Sequence, residues 1–133
     1  MKKWVKQWLG PSEREAGETE ASFPWIPLED AELLENLERK TAPSCQVVFK
    51  HSTRCGLSSM MVRRFEATWG AHGRDASFYL LDLIRYRQLS EALAERFQLW
   101  HQSPQVLIIR DGVLVGSASH GDIARLVPGD YLE

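Results

Sequence analysis

Hydrophobic and polar residues follow two spacings along this chain of 133 residues. Short apolar runs rich in Val, Ile, Leu and Phe predict buried strands, and apolar residues three or four positions apart predict helices. The predicted strands comprise residues 46–50, 77–83, 105–109 and 113–117. The predicted helices comprise residues 57–69 and 86–97, and a last short helix that begins near Gly121 with Asp122 as its N-cap. The Asp111-Gly112 pair predicts a tight hairpin between the last two strands.

The order of these elements predicts an α/β fold with a mixed sheet. The first three strands are joined through helices, and we expect strands connected in this way to lie parallel, with right-handed crossovers. The hairpin adds the fourth strand antiparallel at one edge. Apolar spacing through Leu33, Leu34 and Leu37 predicts a further helix at about 28–40. The prediction is therefore a four-stranded mixed sheet flanked by helices, with an extra N-terminal helix.

The first 22 residues differ in composition from the rest of the chain. Residues 1–9 combine Lys with Trp, Val and Leu. In a short basic amphipathic helix, the Trp, Val and Leu side chains would lie on one apolar face. Such a helix can contact a membrane; because nine residues form no stable isolated helix, docking on the chain's own domain or fraying is favoured. Residues 10–22 are polar and predict a linker. The main domain is predicted to comprise residues 23–133, starting with an extended strap at 23–27 that contains two prolines.

Charge and cysteine content narrow the function classes. The net charge of −2 supplies no field that attracts nucleic acid. No apolar run reaches the ~20 residues that span a membrane, and the N-terminus lacks the apolar core of a secretory signal. Two cysteines in unlike contexts fit a reducing compartment, which predicts a cytoplasmic protein. No histidine has metal-ligand spacing with either cysteine, so no bound metal is expected.

One cysteine stands at a chemically distinctive position. Cys55 comes after the first predicted strand and directly before the predicted helix 57–69. Unpaired N–H groups and the helix dipole at such a position favour the thiolate, which is the nucleophile. Ser58 stands where a dithiol motif has its second cysteine, which suggests one-thiol sulfur exchange. A small buried apolar cysteine in this place is the alternative interpretation.

The residues around Cys55 are predicted to stabilise its thiolate. Arg54 adds positive charge, the helix start contributes Gly56 and Leu57, and the Ser58 hydroxyl can donate a hydrogen bond to the sulfur.

A second element lies about fifty residues downstream, where Ser103-Pro104 directly precedes an apolar strand. Proline belongs at a strand start, and X-Pro bonds can be cis at modest cost. Together with the strand–Cys-x-x-Ser–helix unit and the Asp111-Gly112 hairpin, this step resembles the thioredoxin superfamily. The resemblance implies a thioredoxin-like fold in which Pro104 is cis and lies beside Cys55.

The chain resembles the monothiol bacilliredoxins of bacillithiol-using bacteria more closely still. The resemblance covers about residues 24–123. The segments that carry it are 49–55, the Cys55–Ser58 pair, 79–82 and 101–105. It implies an enzyme, a thiol-disulfide oxidoreductase that removes bacillithiol from S-bacillithiolated client proteins, with bacillithiol as co-substrate.

The resemblance also implies roles for individual residues. Cys55 would be the catalytic nucleophile. The residues implied in substrate binding are Lys50, His51, Thr53, Ser103 and Pro104.

Two other function classes stay open at this point. Cys55-Gly56-Leu57-Ser58 is also similar to the Cys-Gly-Phe-Ser of monothiol glutaredoxins, which hold a [2Fe–2S] cluster between two protomers with glutathione. That family uses a Gly-Gly pair near the final hairpin, whereas here Gly116 is followed by Ser117. The third class is a non-enzymatic thioredoxin-like module that docks through its Trp-rich N-terminal segment.

Overall fold

The protein structure, a computed structural model, describes residues 22–132. The predicted helix at 1–9 and nearly all of the predicted linker lie outside these residues. The strands are β1 Trp25–Pro27, β2 Cys45–His51, β3 Ser77–Asp82, β4 Gln105–Arg110 and β5 Val113–Ser119. The α-helices are α1 Ala31–Asn36, α2 Gly56–Trp69 and α3 Arg87–Arg96. Within the described range, three 3-10 helices span Gly70–His72, His120–Arg125 and Pro128–Asp130.

The described strands form a five-stranded mixed sheet in the order β1-β3-β2-β4-β5. β2 lies in the middle, parallel to β3 and antiparallel to β4. Its alternating residues supply both cores: Val47 and Phe49 belong to the cluster under α2, and Val48 belongs to the cluster under α1 and α3. The thioredoxin-like α/β architecture expected from the sequence is therefore confirmed, with helices on both faces of the sheet.

The fifth strand corrects the prediction of a four-stranded sheet. Residues expected to form only an extended strap pair as β1 with β3, in a parallel register that sets Trp25 against Phe78. An edge strand needs donors on one side only, so Pro27 at the end of β1 is tolerated there. The prolines that excluded a helix therefore did not exclude a strand.

The direction of β4 corrects the prediction of three parallel strands. β4 runs antiparallel to β2, with Gln105 opposite Lys50 and Arg110 opposite Cys45. The physical reason is the loop 97–104, which follows α3 and is long enough to return the chain to the edge where β2 and β3 end. This reversal brings Pro104 to the same sheet edge as the residues that follow β2.

Two helix predictions also need correction. The extra helix is only the six residues of α1; Asp30 caps it by accepting the Leu33 amide at 2.9 Å. The last helix is a 3-10 helix over His120–Arg125 whose N-cap is Ser119, where Asp122 was expected. Short apolar segments predict that a helix exists more reliably than they predict its ends.

Aromatic packing fixes α2 on the sheet. Phe65 and Trp69 are buried one turn apart, and their rings stack at 4.9 Å between centroids. Phe65 also meets Phe49 of β2 edge-on at 5.7 Å. These contacts anchor the helix whose first residues follow Cys55. None of the helices within residues 22–132 has the length and apolar character needed to cross a membrane.

Candidate functional site

Cys55 occupies the N-cap of α2 and is half-buried. Its backbone is extended, at φ −116° and ψ 121°. Its N–H donates to the Ser52 carbonyl at 3.2 Å, and its own carbonyl accepts the Ser59 amide at 3.1 Å. These bonds hold the turn 52–55 and place the sulfur at the beginning of the helix. Within the described residues the side chain makes no capping hydrogen bond, so thiolate stabilisation by Gly56 and Leu57 stays a prediction.

The Ser58 hydroxyl lies in a buried network with β2 and the turn after it. Ser58 is 0% exposed. Its Oγ accepts the Ser52 amide at 3.0 Å and lies 2.6 Å from Nδ1 of His51. Because the Ser52 amide can only donate, the single hydroxyl hydrogen is available to the His51 nitrogen. Ser58 therefore ties α2 to the end of β2, and donation of its hydroxyl to Cys55 stays a prediction.

The electrostatics of His51 agree with this arrangement. Burial lowers the pKa of His51, and the nearby Asp82 carboxylate opposes the shift. The neutral imidazole is thus favoured near pH 7, and its Nε2-protonated tautomer leaves Nδ1 able to accept from Ser58. His51 also lines a cavity of about 260 Å³, together with Thr53, Asp82 and Tyr86 among others. His51 and Thr53 therefore border a space that can admit part of a ligand.

Removal of the Ser58 hydroxyl tests this buried network. In Ser58→Ala the buried Ser52 amide loses its acceptor, so we expect the free energy of unfolding to fall by about 1–3 kcal/mol. Urea denaturation measures the change. Ser59→Ala, one position along the same helix, is the matched control and should stay within about 0.5 kcal/mol of the parent. Equal midpoints for the two variants would contradict the structural role given to Ser58.

The side chains on the outer side of Cys55 are open to solvent. Arg54 and Thr53 are exposed, and Leu57 retains 40% of its accessible surface. Arg54 can therefore add positive charge beside the sulfur without being buried itself. The exposed Leu57 gives an apolar border to the same surface.

The Ser103-Pro104 peptide bond is cis, as the sequence predicted. Pro104 is buried and Ser103 is half-buried. Gln105, the next residue, pairs with Lys50 near the end of β2, so Pro104 and the turn to Cys55 lie at the same edge of the sheet. No hydrogen bond within residues 22–132 uses the backbone N–H or carbonyl of Ser103, which leaves both groups for an extended ligand.

Lys50 differs most from its predicted role. Its side chain is 0% exposed, because Lys50 points to the α3 face of the central strand. A buried ammonium cannot touch a substrate at the surface, so direct substrate binding by Lys50 is wrong for this structure. Burial lowers the pKa of Lys50 to about 8.

The polar residues around Lys50 were not predicted from the sequence. The Lys50 Nζ donates to the Ser90 carbonyl at 3.2 Å and lies 3.3 Å from Nδ1 of His101. The buried Gln105 donates through Nε2 to the Trp100 carbonyl at 2.9 Å. The sequence feature that could have indicated them is a lysine inside an apolar strand, because a buried lysine needs polar partners elsewhere in the chain.

The second cysteine lies away from this site. Cys45 is buried at the other end of β2, opposite Arg110. Burial raises the pKa of the Cys45 thiol, and the charge of Arg110 offsets the shift only in part. Both cysteines are free thiols. Within residues 22–132 no group of three or more His, Cys, Asp or Glu side chains is arranged to hold a metal ion.

Comparisons with known proteins agree with this geometry. Residues 26–126 match the family model described as monothiol bacilliredoxin BrxC. A solved structure described as having a thioredoxin fold is 28% identical, with a TM-score of 0.66 over 75% of this chain and 86% of its own. Mitochondrial thioredoxin 3 from Saccharomyces cerevisiae is 17% identical, with a TM-score of 0.62 over 76% of this chain and 88% of its own. The thioredoxin Mala s 13 from Malassezia sympodialis is 13% identical, with a TM-score of 0.63 over 84% and 91% respectively.

Proposed function

The chain belongs to the monothiol bacilliredoxin family, and from this premise we propose that it removes bacillithiol from S-bacillithiolated proteins through Cys55. Family and fold together support a thiol redox role. The observation that carries the finer proposal is the placement of one half-buried thiol, Cys55, at the sheet edge that also holds the cis Ser103-Pro104 step. The proposed place of action is the reducing cytoplasm, since two cysteines in unlike contexts form no disulfide framework.

The proposed reaction has two exchange steps. In the first, the Cys55 thiolate attacks the bacillithiol sulfur of a client mixed disulfide. The client S–S bond breaks, the client leaves as a thiolate, and a Cys55–bacillithiol disulfide forms. In the second, the thiolate of another bacillithiol attacks the bacillithiol sulfur of that disulfide. Cys55 leaves as a thiolate and bacillithiol disulfide is released, so that one free bacillithiol is consumed for each client thiol restored, and the other half of the disulfide comes from the client.

The surrounding residues supply positioning and charge for these steps. Arg54, the neighbour of Cys55 in sequence, adds positive charge to the exposed surface around the sulfur. The free backbone groups of Ser103 can pair with an extended client segment as an added strand does. His51 and Thr53 border the cavity of about 260 Å³. Thr53 belongs to the turn that leads to Cys55, so this cavity can receive part of the bacillithiol group.

A competition experiment tests the identity of the small thiol. The reduced protein is exposed to equal concentrations of bacillithiol disulfide and glutathione disulfide, and peptide mass spectrometry quantifies each adduct on Cys55. We expect the bacillithiol adduct to exceed the glutathione adduct by about tenfold, a difference of about 1.4 kcal/mol. Cys45 within the same sample is the internal control and should carry neither adduct, because it is buried. A predominant glutathione adduct would contradict the proposed co-substrate.

Two further observations distinguish the other function classes. The Cys55-Gly56-Leu57-Ser58 string favours a cluster carrier as the second candidate. An anaerobically purified protein with the visible absorption of a [2Fe–2S] cluster, lost in Cys55→Ser, would support that function. A Cys55 thiol that reacts with neither disulfide would support the non-enzymatic module.

A further inference from the structure

The buried cation of Lys50 has an unusual set of partners. Its Nζ donates to a main-chain carbonyl of α3, that of Ser90, at 3.2 Å. It also lies 3.3 Å from Nδ1 of His101, which the Ser90 hydroxyl approaches at 3.2 Å. No salt bridge joins Lys50 to a carboxylate within residues 22–132. A buried ammonium without a counter-ion is costly, so its hydrogen bonds must offset much of its desolvation.

These bonds connect three parts of the fold that are distant in sequence. Lys50 lies on the central strand β2, Ser90 lies on α3, and His101 lies in the loop 97–104. His101 is three positions before Pro104. The Lys50 side chain thus connects the middle of the molecule to the segment that carries the cis proline.

The Gln105 side chain braces the same loop from the neighbouring strand. Gln105 pairs with Lys50 across β2 and β4, so the two buried side chains are neighbours on one face of the sheet. Its Nε2 donates to the Trp100 carbonyl at 2.9 Å, and its Oε1 accepts the Gln102 amide at 3.4 Å. Gln105 therefore fixes the backbone on both sides of His101, and Lys50 fixes the His101 side chain.

We propose that Lys50 is a positioning residue that clamps His101 and, through it, sets the place of Ser103-Pro104 for an extended client peptide. The proposal rests on the proposed exchange at Cys55 and adds a role to it, since Lys50 touches neither the sulfur nor the client. The clamp works while Lys50 is a cation and His101 is neutral, because a neutral imidazole nitrogen can accept from the ammonium.

The charges around the clamp predict its pH dependence. Burial lowers the pKa of His101, and the charges of Lys50 and Arg87 lower it further, against a smaller opposing effect of Glu91. Protonation of His101 at acidic pH removes the acceptor and sets two cations side by side. Above pH about 8 the Lys50 ammonium loses its charge and donates more weakly. The clamp is therefore strongest between these limits, and client affinity should weaken on both sides.

The test compares Lys50→Met and His101→Ala with Lys40→Met as the matched control. Met has a similar shape without the ammonium, and such a replacement in a core is often neutral or stabilising. Lys40 is an exposed lysine outside the site. The probe is a peptide of client sequence that carries bacillithiol on its one cysteine, with free bacillithiol in excess.

We expect KM for this peptide to rise about tenfold in Lys50→Met and in His101→Ala, with kcat nearly unchanged. The rate of Cys55 alkylation by iodoacetamide, which needs no docked peptide, should stay the same in both. The rise in KM of the parent protein above pH about 8 should be absent from Lys50→Met. Lys40→Met should match the parent protein in every measurement.

Hydrogen exchange gives a readout that does not depend on turnover. The amides of Gln102, which donates to Gln105 Oε1, and of His120, which donates to the Pro104 carbonyl, should exchange faster in Lys50→Met than in the parent protein, with melting temperatures equal or higher. An unchanged KM in His101→Ala, or unchanged exchange in a folded Lys50→Met, overturns the clamp. If the parent protein reduces no bacillithiolated peptide, the proposed function fails, and the amide exchange alone decides whether the clamp exists. If Lys50→Met does not fold, His101→Ala decides the proposal by both measurements.

Discussion

Replacement of Cys55 by serine is expected to reduce client de-bacillithiolation to the uncatalysed background rate. The introduced hydroxyl would be neither ionised at neutral pH nor able to form a mixed disulfide. The first exchange step therefore lacks its nucleophile, and the disulfide needed for the second step cannot form. The protein should still fold, because Cys55 is half-buried and its side chain caps no helix amide. The measurement is single-turnover release of bacillithiol from a labelled client at a fixed excess of protein.

Cys45 provides the matched control for this experiment. Cys45→Ala should keep the rate of the parent protein within about twofold, since the buried thiol lies at the far end of β2. Six strand steps of ~3.3 Å place the two cysteines on the order of 20 Å apart, whereas a disulfide needs Cα atoms within about 7 Å. Cys45 therefore cannot resolve a disulfide on Cys55, and the resolving thiol must come from solution.

The outcomes of the two variants separate distinct mechanisms. Retained turnover in Cys55→Ser would place the nucleophile elsewhere and remove the proposed function. Lost turnover in a folded Cys45→Ala would require an internal dithiol mechanism that the geometry of β2 forbids. A covalent client adduct that persists on Cys55 until bacillithiol is added would contradict the order of steps given above, in which bacillithiol itself is transferred to Cys55.

The local features of the site were predictable because they depend on neighbouring residues. A strand, a polar turn and an amphipathic helix occupy consecutive positions, so Cys55 could be placed at the helix start from the sequence alone. The cis Ser103-Pro104 bond was expected from the family resemblance and is present. The first depends on one short segment, and the second depends on motifs that several segments share with the family.

The features that were missed depend on how distant segments meet. Periodicity finds β4 but carries no information on its direction, which the loop 97–104 decides. The strand pattern likewise places Lys50 in β2 without showing that the side chain points inward toward Ser90. The partner of a buried polar group is set by tertiary packing, so its identity appears only in the folded arrangement.

The hairpin at Asp111-Gly112 combines a feature that the local sequence predicts with one that depends on tertiary packing. The residue pair predicted a tight turn, and both residues have positive φ, 51° and 84°, as such a hairpin requires. The close approach of Gly112 to the segment after α1 was not predictable. A Cβ built on Gly112 would lie 2.5 Å from the carbonyl oxygen of Glu38. A glycine is therefore needed here for its conformation and also for its lack of a side chain.

Gly112→Ala is accordingly expected to lower the free energy of unfolding by about 2–5 kcal/mol. Positive φ costs an alanine roughly 1–2 kcal/mol, and the contact with a backbone oxygen adds about 1–3 kcal/mol because neither chain segment can move freely. Gly121→Ala is the matched control: nothing lies within 4 Å of its Cβ position, so its urea midpoint should equal that of the parent protein. The hairpin joins the strand ends nearest Cys45, so exchange at Cys55 per folded molecule should not change in either variant. Equal midpoints for Gly112→Ala and Gly121→Ala would show that the hairpin and the Glu38 segment separate at little cost, and that this end of the sheet is less rigid than the packing indicates.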